Sequence, residues 1–183
     1  MGGEDLILPS RSIGLKSTYI INPDAGESSK TAVYNLKQWV VEENTDSVQH
    51  ALEVYKKKSE SEYNKSIWIT NRNTGQKHLI AQYAALNAGN KIVFSGDEKF
   101  MYYLGLAPGG QSMIYGVDLM SDKRFSLDAG DNVSTVNCPN KKSYVVVQEG
   151  KDKSVYQVYT TSGKKAQTLT DVQPVDIEKN LCR

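Results

Sequence analysis

Apolar positions along this chain fall in short runs, not in long helical stripes. Between Ile92 and Leu127 there are four: Ile92–Phe94, Phe100–Leu106, Ser112–Leu119 and Arg124–Leu127. They are separated by Ser95-Gly96-Asp97-Glu98, Ala107-Pro108-Gly109-Gly110 and Met120-Ser121-Asp122-Lys123. Short β-rich runs bounded by Gly, Pro, Asp and Ser predict antiparallel strands. Four such strands in succession make one meander, the unit from which propellers are built.

The same order recurs on both sides of this stretch. Ser66–Thr70, a turn at Asn71–Gly75 and Lys77–Ala81 precede it. Val133–Asn137, Ser143–Gln148, Val155–Thr160 and Ala166–Leu169 follow it, with turns at Cys138-Pro139-Asn140-Lys141 and Thr161-Ser162-Gly163-Lys164. Nearer the start, Thr18–Asn22 reads as a strand closed by the turn Pro23-Asp24-Ala25-Gly26. Gln173–Ile177 has the look of another first strand, placed to pair with Thr18–Asn22 and close a ring.

Residues 30–58 carry two readings. Thr31–Leu36, Trp39–Glu42 and Leu52–Lys57 form plausible strands. Val33, Leu36 and Val40, and then Val48, Leu52 and Tyr55, also follow helical spacing, with Thr45 or Asp46 as an N-cap. The strand reading is preferred because the later part of the chain supplies a template.

Superposing the segments exposes an internal repeat. Trp68, Tyr115 and Tyr156 each stand near the start of a third strand, 47 and 41 residues apart. Thr74-Gly75, Ser121-Asp122 and Ser162-Gly163 each form the turn that follows. Asp97 and Asn140 occupy the turn between first and second strands, 43 apart. One meander cannot bury both its faces, so stacking is required for stability.

The residues Phe94-Ser95-Gly96-Asp97-Glu98-Lys99 and Ile114-Tyr115-Gly116-Val117-Asp118-Leu119 resemble the TolB-like propeller repeat, whose pattern is an F-S-P-D-G-K turn followed by I-Y-x-x-D-L. The resemblance covers 90–128 well, 132–170 loosely and 48–82 in its second half. Gly96 and Glu98 depart from the pattern's Pro and Gly, and Asn137-Cys138-Pro139-Asn140 keeps the Pro but loses the Phe. The resemblance implies an all-β fold of four-stranded meanders stacked as blades, in which the Asp ties down a turn and the aromatic packs between blades. The expected organisation is one domain, 1–183, with a degenerate repeat at 15–45 and others at 48–82, 90–128 and 132–170. It is a small four-bladed propeller or a partial one. The alternative is an α+β fold with helices within 30–58. Members are commonly exported bacterial propellers that bind other proteins or accompany a catalytic domain. A periplasmic or secreted location is therefore implied, with a cytoplasmic one as the alternative.

Composition narrows this further. The 183 residues carry a formal net charge of +1, which supplies no global field for nucleic acid. No run approaches the roughly 20 apolar residues of a membrane span, and no signal peptide is visible. Of 16 aromatics 11 are Tyr, which suits half-buried sheet faces with a wet hydroxyl. Cys138 and Cys182, with His50 and His78, lack zinc-ligand spacing. Two unpaired thiols are preferred to a Cys138–Cys182 disulfide.

No constellation demands catalysis. There is no G-x-S-x-G elbow, and His78 reads as a surface or edge histidine. Glu42-Glu43 and Asp128 with Asp131 are paired acids, better read as solvated than as a glycosidase pair. Asn22-x-Asp24-x-Gly26 has only part of a calcium loop's ligands. Pro108-Gly109-Gly110 joins two strands and so is no phosphate loop. Lys56-Lys57-Lys58 and Lys141-Lys142 read as soluble edges. Asn64-Lys65-Ser66 and Asn132-Val133-Ser134 match the N-glycosylation pattern. No catalytic, cofactor-binding or metal residue is therefore expected. Three functions stand open: a non-enzymatic scaffold presenting loops to a protein or glycan, an assembly protein that completes its sheet by self-association through strand edges, and a polysaccharide-acting enzyme.

Overall fold

The computed structural model describes residues 33–45, 63–86, 90–150 and 155–183. The first strands are β1 (Trp39–Thr45), β2 (Lys65–Asn71) and β3 (Lys77–Ala84). They are followed by β4 (Val93–Phe94), β5 (Phe100–Leu106), β6 (Ser112–Asp118) and β7 (Lys123–Ser126). Then come β8 (Asn132–Asn137), β9 (Ser143–Gln148), β10 (Val155–Thr160) and β11 (Lys165–Thr170). A 3₁₀ turn at Pro174–Asp176 leads into α1 (Ile177–Leu181).

All described pairings are antiparallel. β8 to β11 form a four-stranded meander, paired in chain order. A seven-stranded sheet holds the order β1-β2-β3-β5-β6-β7, with β4 beside β5. It comprises a second meander, β4 to β7, and a three-stranded one, β1 to β3. A single bridge, Ala84 to Gly105, joins these two. The architecture is thus a row of three propeller-type blades. Among the described residues no strand pairing closes the row into a ring.

Side-chain alternation explains the stack. On β5, Met101 and Tyr103 pack towards the first blade, with Ile67, Ile69, Trp39, Val117 and Leu119. Tyr102, Leu104 and Leu106 point the other way, into a layer with Val145, Val147 and Tyr159 of the third blade. Successive residues of a strand face opposite sides. A strand apolar at both parities therefore needs a cover on each side. On β9 and β10 the far parity, Val146, Tyr156 and Val158, is covered with Leu169 by Ile177 and Leu181 of α1. Ile177 and Leu181 share one face of α1 because they are four residues apart.

Two readings from sequence are corrected here. Gln173–Ile177 is a 3₁₀ turn entering a helix, not a first strand. Pro174 lacks the N–H that a strand ladder uses, and its fixed φ suits the start of a helix. Cys138 and Cys182 are not free thiols but a disulfide with Cα atoms 5.2 Å apart. The bridge closes a loop of 44 residues, which stabilises by on the order of 4 kcal/mol in the chain-entropy account. Trp39–Glu42, read as a strand of the 15–45 unit, lies in β1, which extends to Thr45 and pairs along its length with Lys65–Asn71. It is strand where helix was the alternative. Thr18–Asn22 and Leu52–Lys57 lie outside the described residues, and no strand is formed at 33–36.

Glycines and one replaced glycine locate the tight points. A Cβ on Gly116 would lie 2.4 Å from the Phe125 ring, its cross-strand partner. A Cβ on Gly163 of the third blade would lie 2.9 Å from the same ring. Phe125 is therefore a knob seated between two blades, edge-on to Phe100 and Tyr102 at 6.4 Å. Glu98 occupies the left-handed region with φ 59°, at the position where the repeat pattern carries Gly.

Glu98→Gly should therefore stabilise the protein. Relief of the left-handed penalty, about 1–2 kcal/mol, outweighs the added chain entropy of Gly, about 0.5–1 kcal/mol. A net gain of about 0.5–1 kcal/mol is expected in urea unfolding, and a lower midpoint would contradict the strain. Gly116→Ala should cost about 1–3 kcal/mol by overpacking, because Phe125 must leave its seat.

Candidate functional site

The blades share a polarity, so the connections sort into two ends. Gly96 in the β4–β5 turn approaches Asn137 at the end of β8. The Tyr102 hydroxyl donates to the carbonyl of Thr161 in the β10–β11 turn. Tyr34 places His78, just after the β2–β3 turn, beside Asp122 of the β6–β7 turn. These contacts bring the turns at 72–76, 95–99, 119–122, 138–142 and 161–164 to one end. At the other end the Tyr63 and Ser112 hydroxyls meet. There the chain crosses from second to third strand of the second blade, through 107–111.

The first end is closed by its own hydrogen bonds. In the β4–β5 turn Ser95 Oγ donates to Asp97 Oδ1 at 2.7 Å, and Lys99 N–H donates to the same oxygen at 3.1 Å. The Ser95 bond, with help from the Lys99 amide and ammonium, holds the Asp97 pKa below the usual carboxylate value. Asn140 accepts from Lys142 N–H at 3.0 Å in the matching turn. At the third-strand ends Asn71 Oδ1 accepts from Asn73 and Thr74. Asp118 Oδ1 accepts from Met120 and Ser121, and Thr160 Oγ1 from Lys164. Short polar side chains thus mimic backbone turns at repeating positions. This is the structural role that the resemblance assigns to Asp97.

One cluster at this end joins two blades. Tyr34 is buried, its N–H donates to Leu119 O at 2.7 Å, and its hydroxyl lies 2.8 Å from His78 Nδ1. The same hydroxyl donates to Asp122 Oδ2 at 3.4 Å, and Arg124 pairs with Asp122 at 2.7 Å. With its proton directed to Asp122, Tyr34 accepts from His78 Nδ1–H. In that tautomer His78 Nε2 is a buried lone pair, and among the described residues it has no hydrogen-bond partner. Trp39 packs against both rings, 5.0 Å from Tyr34 and 5.3 Å from His78. Burial lowers the His78 pKa and Arg124 adds to this, while Asp122 opposes it. Burial raises the Tyr34 pKa, with Asp122 adding to the effect.

His78 is thus half-buried in an aromatic cluster and not a surface histidine, though it stands on an edge, at a stretch where β3 pairs only with β2 among the described residues. Sequence reasoning missed its partners because Tyr34 and Asp122 are 44 and 88 residues from their contacts. The acid pairs do not converge. Glu42 accepts from Thr70 Oγ1 at 3.0 Å and lies 3.6 Å from Lys77, while Glu43 faces Lys65 at 3.7 Å. These are cross-strand pairs on one sheet. Asp128 accepts from the Tyr159 hydroxyl and lies 3.9 Å from Lys165. Asp131 is exposed and donates its backbone N–H to Gln148 O.

Pro108-Gly109-Gly110 closes a hairpin, with positive φ at both glycines. Asn132 is exposed at the start of β8, and Asn64 is half-buried. His50, Lys56-Lys57-Lys58 and Asn22-x-Asp24 lie outside the described residues. Among the described residues no three acidic, His or Cys side chains gather as metal ligands, and no helix is long and apolar enough to cross a membrane.

No family model matches the chain, and no curated protein matches it. Solved structures do. The beta-propeller domain of the Trilobed protease from Pyrococcus furiosus is 15% identical over 60% of this chain and 36% of its own, with a TM-score of 0.44. TolB from Acinetobacter baumannii is 19% identical over 60% of this chain and 27% of its own, with a TM-score of 0.39. An acylaminoacyl peptidase from Pyrococcus horikoshii is 13% identical over 75% and 24%, with a TM-score of 0.46. The chain spans about a quarter to a third of the length of these proteins.

The His78 cluster makes stability depend on pH. Its folded pKa lies below the unfolded value of about 6.5, so the unfolded chain takes up the proton first as pH falls. Stability is complete above that value and declines as pH drops towards the folded pKa. Urea unfolding at pH 7 and pH 5 should show this loss, and His78→Gln, which keeps a polar group but does not titrate, should flatten it. An unchanged slope in the variant would exclude His78 as the source.

Proposed function

We propose that this chain is a non-enzymatic binding module, a propeller-type scaffold that presents loops to a protein or glycan partner. The observation that carries the reading is the contrast between the two ends. At one, Asn71, Asp97, Asp118, Asn140 and Thr160 are consumed in holding turns. At the other, the connection 107–111 leaves the stack beside the meeting of the Tyr63 and Ser112 hydroxyls. Function on such frames resides in loops held by a rigid scaffold. The Cys138–Cys182 disulfide supports a periplasmic or secreted setting, since such bonds persist in oxidising compartments.

A second reading is favoured by one feature. Among the described residues β8 pairs only with β9, and an unpaired edge is a template for another chain. Assembly by strand addition at β8 is that reading.

The test compares two loop variants on a glycan array and against purified secreted or envelope proteins. One replaces 107–111 and 149–154 by Asn-Gly turns. The other carries Ser121→Ala and Ser162→Ala at the tight-turn end. Saturable binding weakened about tenfold or more, or 1.4 kcal/mol, by the first variant alone is the expected outcome. Binding indifferent to the loops, or hydrolysis of a polysaccharide on the array, would overturn the proposal.

A further inference from the structure

The turns at 72–76, 95–99, 119–122, 138–142 and 161–164 carry an uneven share of the charge. Arg72, Lys99, Lys141, Lys142 and Lys164 lie in them, Lys123 directly follows one, and all of these residues are exposed. None of them makes an ion pair among the described residues, where the bases that do are Lys65, Lys77, Arg124 and Lys165. Lys37 is exposed near the same end, because Arg72 N–H donates to Gln38 O at 2.8 Å. The acids of these turns are Asp97, Glu98 and Asp122, and two are engaged. Asp97 accepts from Ser95 Oγ and the Lys99 amide, and Asp122 pairs with Arg124. Most acids of the described residues, from Glu42 to Glu178, lie outside these turns. A chain with a net charge of only +1 thus presents one basic end.

The same end exposes apolar side chains. Tyr34 N–H donates to Leu119 O at 2.7 Å, so Val33 and Met120 each stand one residue from the same hydrogen bond. Val33 is 46% exposed and Met120 42%. Of the large hydrophobics exposed among the described residues, only Val175 lies elsewhere. Apolar groups set among unpaired cations are the chemistry of a bilayer interface, where the cations meet headgroups and the apolar groups enter the acyl boundary.

We propose that the tight-turn end is a docking surface for a lipid bilayer that bears anionic headgroups. Arg72 comes from the first blade, Lys99 and Lys123 from the second, and Lys141, Lys142 and Lys164 from the third. Packed sheets stand about 10 Å apart, so these cations are spread over a plane, and a plane of charge is what a bilayer offers. A linear polyanion engages only part of them and has no use for Val33 or Met120. The connection 107–111 leaves the stack at the opposite end, so a chain docked in this way keeps it free for a partner.

The test is flotation of the full chain with vesicles of phosphatidylcholine, alone or mixed with phosphatidylglycerol. Binding to the mixed vesicles only, lost as salt screens the charges, is the expected result. Each Lys or Arg near such a surface contributes about a factor of five, so Lys141→Gln with Lys142→Gln should weaken binding about tenfold or more. Lys65→Gln with Lys91→Gln removes the same charge outside these turns and should leave binding within about twofold. Met120→Ser changes no charge, and it should weaken binding to vesicles while leaving any binding to soluble dextran sulfate as it was. No binding to the mixed vesicles, equal binding to both kinds, equal losses from the two lysine pairs, or vesicle binding indifferent to Met120→Ser would overturn the proposal.

Discussion

Everything in this molecule follows from strands that are apolar on both faces. Met101 and Tyr103 look one way from β5 while Tyr102, Leu104 and Leu106 look the other. A sheet built from such strands has no side that tolerates water, so no blade is stable alone. The stack meets this constraint by layering: blade against blade twice, then blade against helix. The polar chemistry is displaced to the ends of the strands, where it turns the chain.

Layering alone would leave blades free to slide, and specific contacts prevent that. Phe125 fills the space left by Gly116 on its own blade and by Gly163 on the next. Tyr34 ties the approach to β1 to both the first and second blades through His78, Asp122 and Leu119. Both devices combine a bulky ring with a precise partner, so they fix the offset of neighbouring sheets where diffuse apolar contact would not.

Most of the fold was legible in the sequence, because a strand's period of two and its turn residues are local signals. Phe100–Leu106, Ser143–Gln148 and Val155–Thr160 were read with the bounds the structure shows, and the turns at Asp97, Asn140 and Ser162-Gly163 stand where the repeat placed them. The failures are non-local. Gln173–Ile177 resembles the start of a strand, and besides Pro174 it is the apolar face of β9 and β10, remote in sequence, that makes a helix the better use of Ile177. The disulfide was unreadable because 44 residues of chain say nothing about the distance between two Cα atoms. The His78 cluster has no local signature, since its members come from parts of the chain far apart in sequence: Tyr34 and Trp39, His78, and Asp122 with Arg124.

The covalent ring closed by Cys138 and Cys182 also decides how the molecule carries load. Tension applied at Arg183 enters the fold one residue away, at Cys182, and crosses directly to Cys138. It bypasses β9, β10 and β11, which lie inside the ring. The force is felt first at β8 and at the contact between the second and third blades. With the ring intact, the enclosed stretch cannot pay out its extended length, about 150 Å at the limit of roughly 3.3–3.6 Å per residue. The stretch from β9 to β11 is therefore an inextensible link, and the molecule yields under traction at β8 or between its blades before β9, β10 or β11 peels away.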